Sequence, residues 1–203
     1  MHGKRVSRVL GMAALGVLAL TAAGLAQEPG AAEMTPEQAA MMEAYRQAGT
    51  PGAPHGALAS SAGTYDVQAK SWQEPGKPPV VEKGTATRSM ILDGRVMVEE
   101  YQGTMMGMAF TGQGLHGFDN VTGKHWSTWI DSMSTGIMVS EGTCDQTGNC
   151  TFTGSWNDPI KKGPITARMT SRWTSPTVQI FEMFAPGPDG REMQMMELTY
   201  TKR

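Results

Sequence analysis

The stretch from Gly63 to the C-terminus constrains the fold most, because it breaks into short segments of alternating apolar and polar residues. Thr64–Trp72 sets the pattern, with Tyr65, Val67 and Ala69 on one face and Asp66, Gln68 and Lys70 on the other. A period of two marks a strand with one buried face. Strands are likewise expected at Val80–Leu92, Val96–Gly103, Met108–Asp119, His125–Asp131, Ile137–Cys144, Cys150–Asn157, Ile165–Thr174, Thr177–Ala185 and Glu192–Lys202. Asp93-Gly94 is the sharpest hairpin signal between them, and Asn120–Gly123 and Pro186–Gly190 are further turns. A flat sheet of ten strands would leave two bare edges and twist badly. The expected fold is therefore all-β, an up-and-down antiparallel barrel of about ten strands. Gly112, Gly114 and Gly117 in one strand suit kinks in a curved sheet.

Upstream of the barrel the pattern changes. Thr35-Pro36-Glu37-Gln38 reads as a capped helix start. The helix runs to about Ala48, with Met41, Met42, Tyr45 and Ala48 as its apolar flank. One such N-terminal amphipathic helix needs a surface to lie on and is expected to cover an end of the barrel. At the start of the chain, Lys4, Arg5 and Arg8 precede the uncharged run Val9–Ala23, and Gly24-Leu25-Ala26 offers a cleavage site. Residues 1–26 thus read as a signal peptide, 27–62 as a mobile segment plus helix and linker, and 63–203 as the barrel domain. The apolar run falls short of the roughly 20 residues of a spanning helix, so no stable membrane span is expected after cleavage. The expected location is periplasmic or secreted.

Composition narrows the partners. The chain has 17 basic and 19 acidic residues. That balance argues against a nucleic-acid surface or a polybasic membrane patch. Two cysteines, Cys144 and Cys150, cannot form a disulfide scaffold or a four-thiolate zinc site. They bracket a turn-like segment in a chain bound for an oxidising compartment, so they read as a local disulfide.

Several segments of the strand pattern resemble one bacterial family, domain of unknown function 1579. They are Pro75-Gly76-Lys77-Pro78-Pro79 after Trp72, Met90-Ile91-Leu92-Asp93-Gly94-Arg95, and Gly103–Phe110. Gly117–Thr122, Trp129-Ile130-Asp131-Ser132-Met133-Ser134-Thr135-Gly136, Phe181-Glu182-Met183 and Leu198–Thr201 complete the set. The resemblance runs from the helix near Met41 to the C-terminus. It implies a lipocalin-like, calycin-type barrel and carries no assigned activity or catalytic residue.

In a small closed barrel, chemistry belongs to the interior and its mouth. Candidate interior residues are Tyr101, Phe110, His116, Trp126, Trp129, Asp131, Trp156 and Arg172, and Trp173 is a further aromatic on a strand. Aromatic side chains also fill cores, and alternation sends about half of them outward. His116 shares strand parity with Phe110 and Phe118. An inward His with an open side suits a haem iron, as in nitrobindin-type barrels, or a plain core imidazole bonded to a carbonyl. The runs Met105-Met106-x-Met108 and Met193-x-Met195-Met196 offer soft ligands for copper. They also pack irregular cores. His55, His116 and His125 match no compact metal spacing, so no metal site and no cofactor are expected. Glu99 and Glu100 point to opposite faces and cannot work as an acid–base pair. No nucleophile elbow or phosphate loop is present. The leading expectation is binding of a small, mostly apolar ligand inside the barrel. The rivals are a filled barrel serving as an interaction module, and haem or copper binding.

Overall fold

The computed structural model describes residues 34–203. The expected signal peptide and residues 27–33 of the segment that follows it lie outside the described residues. Helix α1 (Pro36–Gly49) starts at the expected capping box. The Gln38 N–H donates to Thr35 Oγ1 at 3.2 Å, and the Thr35 N–H donates to Gln38 Oε1 at 2.9 Å. This helix buries none of its residues, and Met41, Met42 and Tyr45 are exposed. It is held at its C-terminal end instead. Asn120 Nδ2 donates to the carbonyls of Ala48 (2.9 Å) and Thr50 (2.8 Å), and Arg95 Nε donates to that of Gly49 (2.9 Å).

A second helix, α2 (Ala53–Ser60), stands where the sequence suggested only a linker. Eight residues including Pro54 and Gly56 are too few to form a stable isolated helix. Tertiary contacts make it. His55 is buried; its Nδ1 accepts the Gly52 N–H at 3.0 Å, and its ring meets Phe118 edge-on at 5.9 Å. Just beyond the helix, the Tyr65 hydroxyl donates to the Ser61 carbonyl at 2.5 Å. The helix that closes the barrel end is therefore α2 rather than α1.

The ten strands are β1 (Gly63–Ser71), β2 (Val80–Ile91), β3 (Val96–Met105), β4 (Met108–Asp119), β5 (Lys124–Asp131), β6 (Met138–Cys144), β7 (Cys150–Asp158), β8 (Gly163–Ser175), β9 (Val178–Pro186) and β10 (Glu192–Lys202). Each end lies within two residues of its sequence-based position. Every strand pairs antiparallel with its chain neighbours, and β1 pairs with β10 to close the barrel. Bulges interrupt the ladder at Gln194/Met196 and Trp173/Ser175, the usual way to bend a strand around a small barrel.

The β2–β3 connection has four residues, with Leu92, Asp93 and Gly94 all at positive φ. It is longer than the two-residue turn that Asp-Gly favours. The β4 glycines do more than bend the strand. A Cβ at Gly112 would overlap the Trp129 ring, and one at Gly117 would overlap Trp126. Each glycine clears room for a cross-strand tryptophan, one on each face of the sheet. Cys144 and Cys150 face each other across β6–β7 and are joined by a disulfide. In the turn between them, the Asp145 carboxylate is drawn down to about 2, first by the Thr147 hydroxyl and then by the Asn149 backbone N–H.

Candidate functional site

Alternation and register together decide what faces the interior. Tyr65 and Val67 of β1, Ala86 of β2, Tyr101 of β3, Phe110 of β4 and Tyr200 of β10 form one buried cluster. Because every hairpin is antiparallel, the connections leaving β1, β3, β5, β7 and β9 lie at one end of the barrel. The other connections and α2 lie at the opposite end. Between the plug and the open end is a cavity of about 310 Å³. Phe110, Trp129, Met169, Phe181 and Leu198 give it apolar walls.

Its floor is polar. Arg88 Nε donates to Glu99 Oε2 at 2.6 Å, and both residues are buried. Arg88 Nη1 donates to Gln179 Oε1 at 2.6 Å. The Tyr200 hydroxyl donates to Glu99 Oε1 at 2.9 Å. The guanidinium lies against the rings of Tyr65 (4.7 Å) and Tyr200 (4.4 Å), which meet each other edge-on at 6.0 Å. Burial by itself would raise the Glu99 carboxyl, but the Arg88 charge and the hydrogen bonds hold it below its usual value. Burial pushes the Tyr200 phenol well up, and neighbouring Glu99 pushes it further. His116 also reaches this floor, and burial draws its imidazole below the ordinary value, so it stays neutral. Its Nε2 has no partner and lies 3.0 Å from where a Cβ at Gly114 would be. The floor is thus a paired, formally neutral unit with one unsatisfied imidazole nitrogen.

Of the interior candidates, Tyr101, Phe110, His116, Trp129, Asp131 and Trp156 line the cavity. Trp126 and Arg172 do not. Trp126 pairs with Gly117, one residue out of phase with inward His116, so it sits on the outer face. Trp129 lies three positions further on, an odd step that already put the two rings on opposite faces. Arg172 pairs with Ile180, out of phase with inward Phe181, and forms an outer-face ion pair with Glu182. Asp131 is engaged at the mouth: Oδ2 accepts from Trp129 Nε1 (3.0 Å) and Oδ1 from the Met133 N–H (2.9 Å). In register, Asp131 faces Gly112 and His116 lies four residues further along β4, about 13 Å at strand rise. The two do not form an acid–base pair. The methionine runs also split between faces: Met105 and Met196 line the cavity, while Met106 and Met108 are exposed. Among the described residues, no cluster of three His, Cys, Asp or Glu side chains is placed to hold a metal ion.

The sequence reading named none of Arg88, Tyr65, Tyr200 and Gln179 as a site residue, and considered Glu99 only beside Glu100. Parity carried part of the signal, because Glu99 alternates with Tyr101 and Arg88 with Ala86.

Residues 50–202 match the family model described as protein of unknown function (DUF1579). The chain belongs to that family. The match begins after α1, later than the start near Met41 suggested by sequence resemblance, and takes in α2, the whole barrel wall and the polar floor of this DUF1579 protein. Comparison with curated proteins gives no match. Among solved structures, the crystal structure of Rv2717c from M. tuberculosis superposes with a TM-score of 0.59 at 11% identity, covering 74% of this chain and 98% of that one. At that identity the likeness concerns the fold. A redesigned β-barrel aligns with a TM-score of 0.39 at 14% identity, over 72% of this chain and 95% of its own.

Proposed function

We propose that this DUF1579 protein is exported and binds a small, mostly apolar molecule in its barrel. The supporting observation is the cavity of about 310 Å³ with apolar walls and a polar floor. At the ~30 Å³ share of a liquid water, that is room for about ten waters. A close-packed core leaves few voids larger than one. Apolar walls with a few fixed polar groups are the usual make-up of a small-molecule site. The floor also selects the buried end of the ligand. Arg88 and Glu99 satisfy each other, and His116 is neutral. An anionic or cationic head group would be buried there without a counter-charge, so a neutral polar end is favoured. The lipocalin-like resemblance and the disulfide, typical of oxidising compartments, agree with this reading.

The test uses N-phenylnaphthylamine, an uncharged apolar fluorophore, read by energy transfer from Trp129 and Trp156. Saturable uptake is expected, and Ala69→Trp, which fills the cavity from a small lining position, should weaken it about tenfold. Equal uptake by both chains, or none by either, would sink the proposal. Native mass spectrometry of the protein from its own compartment should show a retained molecule.

A further inference from the structure

The interior of the barrel pairs its polar side chains with care. Ser127 and Ser140 share a hydrogen bond at 2.5 Å, and the Ser61 hydroxyl donates to the Leu58 carbonyl at 2.7 Å. Arg88, Glu99, Gln179 and Tyr200 bond one another at the floor. Among the described residues, two buried side-chain polar atoms have no partner, Ser71 Oγ and His116 Nε2. Both residues line the same cavity. A buried polar atom without a partner forfeits the bonds it made to water, so native structures keep few of them.

The two atoms lie toward opposite ends of that cavity. Ser71 is the last residue of β1, at the open end, in phase with inward Tyr65 and Val67. His116 lies three positions before the end of β4, toward the plugged end. The apolar wall runs between them. A hydroxyl is the group that satisfies both. It donates and accepts, so it serves a neutral imidazole whichever nitrogen carries the proton, and it pairs with a serine in either sense. Neither place offers a free counter-charge of positive sign. Arg88 is taken by Glu99 at the floor, and Lys70, next to Ser71, is paired with Glu197 at 2.8 Å. At the mouth, Glu82 and Asp131 already accept backbone and indole N–H groups, and their charge opposes a carboxylate.

We infer that the barrel takes an elongated, uncharged molecule with a hydroxyl at each end, one on His116 and the other on Ser71, and an apolar body between them. The inference rests on the cavity reading and names the chemical class that the cavity selects. It also reverses an ordinary trend. Exchanging the terminal methyl of an alcohol for a second hydroxyl makes the molecule more soluble in water, so burial of apolar surface alone favours the simple alcohol. A site with a partner at both ends favours the diol.

The test is displacement of N-phenylnaphthylamine from the folded protein by the terminal diols of octane, decane and dodecane, each against the simple alcohol of the same chain and against decanoate. The best-fitting diol should displace the dye at a lower concentration than its alcohol, and decanoate should compete least. Ser71→Ala and His116→Phe should each cut the advantage of the diol over the alcohol about tenfold. In the ligand-free protein, Ser71→Ala removes an unpaired hydroxyl and should raise the urea midpoint. Dye uptake with the alcohol ahead of the diol at every length, or with decanoate ahead of both, overturns the inference while leaving the cavity reading standing. So does a diol advantage untouched by Ser71→Ala, or a urea midpoint lowered by it, since either result means that the hydroxyl has another partner. Absence of dye uptake removes the cavity reading and this inference together.

Discussion

At the scale of single residues, the buried Arg88–Glu99 pair dominates. Each charge is tolerable only because the other is present, and Tyr200 and Gln179 complete their hydrogen bonds. Glu99→Ala leaves the guanidinium unpaired among Tyr65 and Tyr200 and should cost about 3–5 kcal/mol in urea unfolding. Tyr200→Phe should cost less, about 1.5–3 kcal/mol, the usual worth of a bond to a charged group. The same floor sets the pH response. Burial holds His116 below its ordinary value of 6.5, so the unfolded chain takes up a proton there before the folded chain does. Stability is therefore full above pH 6.5 and falls as pH drops below it. Glu99, held below 4.5, adds a second loss as pH falls through its own lowered value. His125, lowered by burial and by His55, acts in the same direction as His116. His116→Asn should flatten only part of the slope of thermal midpoint against pH just below 6.5. An unchanged slope would mean that His116 is solvated.

At the scale of elements, the two helices differ in kind. Sequence placed α1 because a capping box and Pro36 are local signals, yet Met41, Met42 and Tyr45 of its apolar flank stay exposed. The shorter α2 has weak local signals and forms because His55 and the Ser61 carbonyl find partners on the barrel. A chain beginning at Thr50 should unfold within about 1 kcal/mol of the longer one, since it loses only exposed surface and a few bonds. One beginning at Gly63 should lose several kcal/mol, because Tyr65, Met97 and Phe118 lose their cover. Urea titration of the two truncations distinguishes these outcomes. The β6–β7 hairpin carries the disulfide. Replacing Cys144 and Cys150 by Ser should cost about 2 kcal/mol, the loop-entropy value for so short a closure. The measurement is the difference between oxidised and variant unfolding midpoints.

At the scale of the whole molecule, closure is what creates a site. The β1–β10 seam joins the two ends of the barrel sequence, and Arg203 reaches back to Asp66 at 2.6 Å. Such distant pairing pays its loop entropy before it is rewarded, so folding should be slow, with millisecond to second relaxation in stopped flow. The alternation after Gly63 determined by itself that the chain forms ten antiparallel strands, because period two and turn chemistry are local properties. It also determined that closure was the economical end for so many strands, and it placed the Cys144–Cys150 pair. Which face of each strand looks inward was decided only by the tertiary structure, because one register choice flips every side chain of a strand together. Thus Trp126 and Arg172 fell outside, and Arg88 and Glu99, far apart in kind from the aromatic candidates, met at the floor. Their pairing crosses β2 and β3, and its partners come from β9 and β10. No local pattern encodes a contact whose members are brought together only when the first strand meets the last.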